Sequence, residues 1–411
     1  MELLSPAGDL EKVRTALLFG ADAIYVGIQG LSLRAAGLNI TELHEAVALA
    51  HGLSKRIYAA INIFAQNQDI DNLQKLLPQI QSSGVDAVIV SDPGIIALLR
   101  EKAPGLKIHL STQANTTNWQ SVKFWQNQGV SRIVLARELS IDEIMEIRQK
   151  VPGIELEIFV HGAMCMAFSG RCLLSMGLTG RNANRGECAQ PCRWEYTITE
   201  SAPTRDVQTE EMTIGEDDRG SYILNSRDLC LINKIPELIE AGIDSIKIEG
   251  RMKPAYYVAL ATKSYREAID LCKSSAERPE TQLQALFETL HEVSHRPFTT
   301  GFTFPDGQLQ ETNSAKYIKP YDFVGVVSKW EDGKVYIAVR NRISSGEVLE
   351  FIDPRSPILT RSMVTITVEN ICNTKTSEQM KEAHNTYEIS LPAPEEISAG
   401  SIVRKKARAG L

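Results

Sequence analysis

Short apolar runs rich in β-branched residues recur along the first 275 residues, and several of them follow a glycine that closes a helical pattern. Four runs repeat nearly the same phrase: GADAIYV (20–26), GVDAVIV (84–90), GVSRIVL (129–135) and GIDSIKI (242–248). A glycine that ends a helix and leads into a strand is typical of a repeating β/α unit. Four further runs bring the set to eight predicted strands: ELLSP (2–6), RIYAAINIF (56–64), KIHLSTQ (107–113) and ELEIFVHG (155–162).

These eight alternations of strand and helix indicate an α/β fold and favour a (β/α)8 TIM-like barrel over residues 1–275. An open, doubly wound parallel sheet is the alternative. Such sheets often carry a glycine-rich phosphate loop after the first strand, and the chain contains neither GxGxxG nor GxxxxGK followed by Ser or Thr. We therefore predict the barrel.

The pattern changes near residue 318 to short strands separated by turns. Six such strands follow one another at hairpin spacing: YDFVGVVSKW, KVYIAVRN, GEVLEFIDP, MVTITVEN, TYEISL and SIVRKKA. They predict a small C-terminal all-β barrel domain over residues 318–411, joined to the first domain by a helical linker over 276–317. A small barrel on an enzyme commonly binds a macromolecular substrate, although a fold alone does not establish a function.

Charged residues share one face of the last two predicted barrel strands. Glu155, Glu157 and Phe159 alternate with apolar residues in the seventh strand, as Lys247 and Glu249 do in the eighth. Because the helix-facing positions must be apolar, these faces should point into the barrel. A buried charge needs a partner, so we predict an ion pair of Glu157 with Lys247, structural in the case of Glu157.

Active sites of (β/α)8 barrels lie at the mouth formed by the C-terminal ends of the strands. Polar side chains that follow the predicted strand ends include amides and cations, a set that suits an anionic, hydroxylated ligand better than a peptide. Strand ends are polar in most barrels, however, so each residue alone is weak evidence. The candidate catalytic residues are Arg137, Lys247, Arg251, Gln113, Asn115 and His161.

A long insertion, residues 163–230, separates the seventh predicted strand from the eighth. Its clustered cysteines are Cys165, Cys172, Cys188 and Cys192, with the spacing C-x6-C-x15-C-x3-C. Zinc sites prefer CxxC-like pairs, whereas thiolates without a histidine suit an iron–sulfur cluster or zinc. The spacing alone leaves an iron–sulfur cluster, a zinc site and no metal open. Cys230 is a reserve ligand, and Cys272 and Cys372 are interpreted as ordinary buried thiols.

Composition and charge narrow the class of protein. With 43% hydrophobic and 23% charged residues, the chain of 411 residues is typical of a soluble globular protein with one large and one smaller domain. The sequence has no signal-peptide pattern and no apolar run long enough to span a bilayer, so we expect a cytoplasmic protein without a membrane partner. A disulfide framework is disfavoured in that reducing compartment.

Basic residues are concentrated in two places, although the formal net charge of −7 gives no global attraction to nucleic acid. One patch surrounds GRNANRG in the insertion and the other ends the chain. We predict that the RNA-binding residues are Arg181, Arg185, Lys405 and Lys406, with Arg404 and Arg408 beside the last two. The alternative for the second patch is a solvated, frayed end.

The stretch from Glu157 to Ser175, EIFVHGAMCMAFSGRCLLS, resembles the signature of the collagenase-like (U-type) peptidase family. Similar stretches extend over nearly the whole chain: ELLSPAG, VSDPGII (90–96), HLSTQAN (109–115), ARELS (136–140), RGECAQPCRW (185–194), SIKIEGRMK (245–253) and HRPFTTGF (295–302). Within this family the pattern is most similar to the tRNA hydroxylation proteins. Other relatives act on 23S ribosomal RNA or in ubiquinone hydroxylation.

This resemblance implies an enzyme that converts the wobble uridine of tRNA to 5-hydroxyuridine, with prephenate as the hydroxyl source and a 4Fe-4S iron–sulfur cluster. Prephenate is the small anionic co-substrate that Arg137, Lys247 and Arg251 would hold. Cys165, Cys172 and Cys188 fall on the cysteine motif of the family, and Cys192 is our choice for the fourth ligand, with Cys230 in reserve. An extruded base would enter the mouth, because chemistry on its ring requires removal from the stack.

Three other functions stay open: a collagenase-like peptidase, a hydroxylase of 23S rRNA and a non-catalytic RNA-binding or assembly protein. The sequence has no HExxH, no GxSxG and no evident Ser–His–Asp order for a peptidase. His161 precedes Cys165 by four residues, which keeps a thiol peptidase as an alternative. The sequence does not give the oligomeric state.

Overall fold

The computed structural model describes residues 1–33, 36–164, 174–181, 187–191, 215–217, 220–222, 226–275, 277–304, 317–360 and 363–407. Of the eleven strands before residue 250, eight belong to a closed parallel barrel. In chain order the strands are β1 (Glu2–Ala7), β2 (Ala23–Gly27), β3 (Arg56–Ile61), β4 (Ala87–Val90), β5 (Lys107–Leu110), β6 (Arg132–Val134), β7 (Glu155–Ala163), β8 (Gly215–Asp217), β9 (Gly220–Tyr222), β10 (Asp228–Cys230) and β11 (Ser245–Ile248).

The barrel runs from β1 through β7 to β11, and each neighbouring pair is parallel. It closes where Ser245 of β11 pairs with Glu2 on one side and with Glu157 on the other. All eight predicted strands are present, so the TIM-like barrel is confirmed. The glycines that open the four repeated phrases end helical segments with positive φ angles: Gly20 (102°), Gly84 (82°), Gly129 (78°) and Gly242 (71°).

Helices cover the outside of the barrel. They are α1 (Leu10–Leu18), α2 (Ile40–Gly52), α3 (Asn67–Ser83), α4 (Pro93–Lys102), α5 (Trp119–Asn127), α6 (Ile141–Lys150), α7 (Leu174–Thr179), α8 (Ile235–Glu240), α9 (Ala255–Ser274) and α10 (Glu280–Leu290). Several begin at capping side chains, such as Asp9 before α1 and Ser140 before α6, which accept backbone N–H groups of the first turn. Among the described helices, none is long and apolar enough to cross a membrane.

Two short strands extend the barrel sheet outward at the end of β7. β10 pairs antiparallel with β7, with Cys230 opposite His161, and β12 (Phe298–Thr299) pairs with β10. The segment predicted as a linker therefore joins the barrel sheet through β12, and its helix α10 packs on α9. The segment after α10 is therefore attached to the barrel sheet at the point where the insertion begins and ends.

The C-terminal domain is an antiparallel sheet. Its strands are β13 (Tyr321–Glu331), β14 (Lys334–Val339), β15 (Ile343–Ser344), β16 (Val348–Ile352), β17 (Val364–Thr367), β18 (Ile371–Asn373), β19 (Gln379–Met380), β20 (Glu382–Ala383), β21 (Glu388–Pro392) and β22 (Ile402–Lys406). Eight of them form one sheet in the order β17-β16-β22-β13-β14-β21-β18-β19, and β15 pairs with β20. The six predicted strands are present. In the described residues they form an antiparallel sheet, so the predicted C-terminal all-β domain is confirmed.

The C-terminal domain packs on α9 of the barrel domain. Nζ of Lys263 donates to the carbonyl of Pro354 (2.6 Å), and the backbone N–H of Ile358 donates to Oε1 of Glu267 (2.7 Å). Ile358 and Ile402 also belong to the hydrophobic core that surrounds the barrel. The two domains therefore share apolar contacts as well as hydrogen bonds.

Candidate active site at the barrel mouth

Lys247 lies inside the barrel, on β11, with its side chain 4% exposed. Its Nζ is 3.0 Å from Oε1 of Glu157, which confirms the predicted pair. The ammonium group also lies 4.5 Å from the ring centroid of Tyr25 and 5.4 Å from that of Phe159. Burial lowers the pKa of Lys247, and the attraction of Glu157 opposes this shift. Lys247 is thus a desolvated cation between two aromatic rings.

Glu157 is held between two cations. Its second oxygen, Oε2, accepts from Nη1 of Arg132 (3.0 Å), and the same nitrogen is 2.5 Å from Oε1 of Glu2. Burial alone would raise the pKa of Glu157, but Lys247 and Arg132 hold it at about 2. Glu157 is therefore ionised at neutral pH and holds Lys247 in position from the barrel interior, as expected for a structural residue.

Arg251 follows β11 and reaches the end of β2. Its Nη1 donates to Oγ of Ser32 (3.2 Å), and its Cζ lies 5.9 Å from the ring centroid of Tyr25. A Cβ at Gly27, the last residue of β2, would come within 2.2 Å of Nη1 of Arg251, so a glycine is required there. Gly27 and Ser32 were not predicted as site residues from the sequence. A glycine that ends an apolar strand is the available signal, since it often marks a close approach.

Arg137 lies over the ring of Phe159. Its Cζ is 4.0 Å from the ring centroid of Phe159, its Nη2 is 3.7 Å from Oε2 of Glu249, and its Nη1 donates to the carbonyl of Ala163 (3.4 Å). Phe159 is thus in contact with cations from two strand ends, Arg137 and Lys247. The structure brings together the three predicted cations around Tyr25 and Phe159.

The two predicted amides lie just beyond β5. Oε1 of Gln113 accepts from Nδ2 of Asn62 (3.1 Å) and from Oγ of Ser111. Asn115 has a positive φ of 53°, and its Oδ1 is buried without a hydrogen-bond partner among the described residues. A buried acceptor that lacks a donor is suited to receive one from a ligand, because leaving it unpaired is costly. The amides therefore stay candidates for ligand contacts.

His161 does not reach the mouth. The pairing of β7 with β11 shifts register between Phe159 and His161, and this irregularity breaks the alternation that would turn the side chain inward. Its ring lies among those of Tyr257 (5.7 Å), Tyr265 (5.5 Å) and Phe298 (5.5 Å). Burial lowers the pKa of His161 to about 3, and neither ring nitrogen has a hydrogen-bond partner among the described residues. His161 is thus a neutral imidazole packed among aromatic rings, and its catalytic role stays a prediction.

The cysteine prediction falls largely outside the described residues, which exclude Cys165, Cys172 and Cys192. Cys188 is half-buried, and its Sγ accepts the backbone N–H of Gln190 (3.4 Å). Cys230 lies in the core, with Sγ 3.7 Å from the hydroxyl of Tyr265, and burial raises its pKa to about 12. The described residues contain no group of three or more possible metal ligands. Cys272 and Cys372 are partly exposed, which corrects their interpretation as buried thiols.

The predicted RNA-binding residues occupy different environments. Arg181 is exposed at the end of the segment that contains α7, and Arg185 lies outside the described residues. Lys405 in β22 is paired with Glu347 (2.7 Å) and also donates to the carbonyl of Arg342, whereas Lys406 is exposed. Residues 402–406 form a strand, so the alternative of a frayed end is wrong for them. RNA binding by these residues stays a prediction.

An open depression of about 720 Å³ lies at the opposite, N-terminal end of the barrel. Its charged side chains pair with one another: Arg266 with Asp22 (2.8 Å) and Arg132 with Glu2 (2.5 Å). Residues at this end of the fold usually serve stability. The mouth, with its cations stacked on aromatic rings, is therefore the candidate active site.

Comparison with known proteins relates the chain to one family over both domains. Residues 8–313 match the model of peptidase family U32, and residues 319–404 match that of the C-terminal domain of this family. The chain is 39% identical to tRNA hydroxylation protein P of Escherichia coli (strain K12), over 96% of this chain and 94% of that protein. It is 40% identical to tRNA hydroxylation protein P1 of Bacillus subtilis (strain 168), over 89% and 86%.

A third relative carries a different name. The 23S rRNA 5-hydroxycytidine C2501 synthase of Escherichia coli (strain K12) is 33% identical over 87% of this chain but only 53% of its own length. The two family models together cover most of the chain. The chain belongs to peptidase family U32.

Proposed function

We propose that the protein is an RNA-modifying enzyme that hydroxylates the wobble uridine of tRNA to 5-hydroxyuridine, with prephenate as the hydroxyl source and a 4Fe-4S cluster as cofactor. The observation that carries the proposal is the arrangement of Arg137, Lys247 and Arg251 around Tyr25 and Phe159. Relatives named as tRNA hydroxylation proteins, similar over almost the whole chain, support the choice of RNA as the substrate.

The three cations suit a small dianion. Arg251 donates to a neutral hydroxyl, that of Ser32, and an arginine can bind a carboxylate through two parallel hydrogen bonds. Glu157 fixes the ammonium group of Lys247 from the barrel interior, so Lys247 can contact a ligand at the mouth without moving. Phe159 and Tyr25 offer apolar faces to the ring of prephenate. In this proposal the residues bind and orient the co-substrate and exclude water from it.

The thiols of the insertion suit an iron–sulfur cluster. Cys188 accepts a backbone N–H at its sulfur, and this bond is compatible with a metal ligand. Cys230 is instead buried in the core against the hydroxyl of Tyr265, which favours Cys192 as the fourth ligand beside Cys165 and Cys172. When bound, such a cluster can transfer single electrons or act as a Lewis acid.

The test measures modified nucleosides in tRNA by mass spectrometry. A strain that lacks the gene is complemented with the wild type, with Cys188→Ala, with Arg251→Gln or with the surface control Arg278→Gln. We expect 5-hydroxyuridine to be restored by the wild type and the control only. Unchanged 5-hydroxyuridine in the deletion strain, with no second enzyme covering the loss, would contradict the proposal.

Two further measurements separate the alternatives. Loss of 5-hydroxycytidine from 23S rRNA, with tRNA unchanged, would identify the rRNA hydroxylase. Cleavage of gelatin by the purified protein would support a peptidase, which the buried, neutral His161 disfavours. Anaerobic purification should give bound iron and sulfide, and a colourless protein with stoichiometric zinc would contradict the iron–sulfur cofactor. For Arg251→Gln, we expect prephenate affinity to fall roughly 10- to 100-fold, since a charged hydrogen bond is lost.

A further inference from the structure

Tyr317 presents an aromatic ring at the surface beside the barrel mouth. Its side chain is 37% exposed, and the ring centroid lies 4.4 Å from Nζ of Lys253 and 5.3 Å from Cζ of Arg296. Arg296 is only 2% exposed, so it supports the ring from the protein side. The ring is therefore held in place by two cations, while more than a third of the side chain is accessible to solvent.

Backbone contacts fix the position of this ring. Ile318 and His295 exchange two hydrogen bonds, from N of His295 to O of Ile318 (3.1 Å) and from N of Ile318 to O of His295 (2.8 Å). Nζ of Lys253 also donates to the carbonyl of Ser294 (3.3 Å). The backbone next to Tyr317 is thus tied to the barrel domain, and binding to its ring would require little ordering.

The surface lies next to the candidate active site. Lys253 belongs to the loop after β11 and follows Arg251, which lines the mouth, by two residues. Between them Met252 is 58% exposed, and Ile318 beside the tyrosine is 49% exposed. The surface therefore combines an aromatic ring, apolar side chains and an ammonium group, at the distance of one short loop from the mouth.

This combination fits an unpaired nucleotide. Every nucleobase has an apolar face that stacks on an aromatic ring, and a neighbouring lysine can contact the phosphate. The formal net charge of the whole chain is −7, so a half-buried lysine beside an exposed aromatic ring makes this surface locally basic and favours an anionic partner over another protein. We propose that Tyr317 and Lys253 form a platform that stacks an unpaired nucleotide next to the uridine being modified. This inference rests on the proposed function.

The test compares the binding of a synthetic tRNA anticodon stem-loop to full-length, anaerobically purified variants by fluorescence anisotropy. Tyr317→Ala should weaken binding by about tenfold, whereas Tyr317→Phe, which keeps the ring, should bind like the wild type. Tyr387→Ala is the matched control, because Tyr387 in the C-terminal domain is 39% exposed. Lys253→Gln should reduce the slope of log K against log salt by about one.

Three results would overturn the platform. Equal affinity of the Tyr317→Ala protein and the wild type is the first, and the hydroxylation proposal would survive it as long as the deletion strain lacks 5-hydroxyuridine. A change of oligomeric state in light scattering, with RNA affinity unchanged, would make the surface a protein interface. Absence of RNA binding by the wild type, with 5-hydroxyuridine retained in the deletion strain, would remove the proposed function together with the platform.

Discussion

Glu157 is the residue on which the geometry of the mouth depends most directly. One of its oxygens contacts Lys247 and the other contacts Arg132, both in the barrel interior. A carboxylate between two buried cations is stable only while both contacts exist, because each ion has lost its hydration. The position of Lys247, and with it the cationic side of the site, follows from this anion.

Replacing Glu157 by Gln should therefore destabilise the protein. Lys247 and Arg132 would be left buried with one anion fewer, and we expect the free energy of unfolding to fall by roughly 3 kcal/mol. Urea denaturation followed by circular dichroism measures this change. Glu155→Gln is the matched control, because Glu155 also contacts Arg132 but its side chain is 50% exposed, and its loss should cost less than about 1 kcal/mol. An equal loss of unfolding free energy in the two variants would show that the burial of Glu157 does not increase its contribution to stability.

The same residue predicts a pH dependence. The pKa of Glu157 is about 2 in the folded protein against a usual 4.5. Because folding depresses this pKa, the stabilisation is fully present above about pH 5 and is lost as the pH falls through 4.5 towards 2. We expect this group to account for roughly 3 kcal/mol over that window. The unfolding free energy of Glu157→Gln should accordingly depend less steeply on pH between 5 and 2 than that of the wild type.

The sequence predicted the Glu157–Lys247 pair but not the position of His161, and the difference has a physical cause. Alternation along a regular strand places Glu157 and Phe159 inside the barrel, and both are there. Extending the count to His161 fails because β7 shifts register against β11 at that point. Nothing in the residues HGAM signals such an irregularity. Gly27 and Ser32 were missed for a related reason, since their role depends on Arg251, more than 200 residues away.

At the scale of elements, the joint of β7, β10 and β12 fixes both ends of the described chain around the insertion. Oγ of Ser226 donates to the carbonyl of Met164 (3.0 Å), and Nη1 of Arg296 donates to the carbonyl of Ser226 (3.1 Å). The carboxylate of Asp228 accepts the backbone N–H of Arg296 (3.2 Å). Met164 directly precedes Cys165 in the sequence, so this joint fixes the residue before the first proposed ligand.

Ser226→Ala should loosen this joint without unfolding the protein. Loss of one neutral hydrogen bond costs about 1 kcal/mol, so the melting temperature should change little. If the proposed cluster depends on the joint, iron should be released to a chelator several times faster than from the wild type. Iron release is followed by absorbance under anaerobic conditions. Ser274→Ala is the control, since its Oγ also donates to a backbone carbonyl but at the end of α9. Equal rates of iron release from the two variants would show that the proposed cluster does not depend on the joint.

The elements that were predicted correctly are those whose own residues, or the residues just before them, form a recognisable pattern. Seven of the eight barrel strands follow glycines or helical segments, and the turn between β13 and β14 has positive φ at Asp332 (51°) and Gly333 (70°). The strands β10, β12, β18 and β19 escaped prediction because each has only two or three residues. A strand of that length has no readable period, and β12 exists through its pairing with β10, some 70 residues earlier.

At the scale of the whole molecule, Arg404 connects the two domains. It lies in β22, is 1% exposed, and contacts Glu350 of its own sheet through Nε (2.9 Å). Across the interface Nη1 donates to the hydroxyl of Tyr256 (2.7 Å) and to Glu292 (2.5 Å). The neighbouring Tyr256 and Glu292 raise the pKa of Arg404 against the effect of burial, so it stays charged. Arg404, which lies among the basic residues near the end of the sequence, therefore has a structural role.

Arg404→Met should weaken the coupling between the domains more than it weakens either domain. Methionine can fill part of the space, but Glu292 and Glu350 lose their shared cation, and we expect a loss of roughly 3 kcal/mol. Differential scanning calorimetry should then show the C-terminal sheet unfolding before the barrel, as a separate transition. Lys406→Met is the matched control, because Lys406 lies on the same strand and is exposed. A lowered but still single transition for Arg404→Met would mean that Arg404 stabilises the molecule without linking its domains. If the domains do separate, weaker binding of tRNA by this variant, with prephenate affinity unchanged, would assign RNA binding to the docked C-terminal sheet.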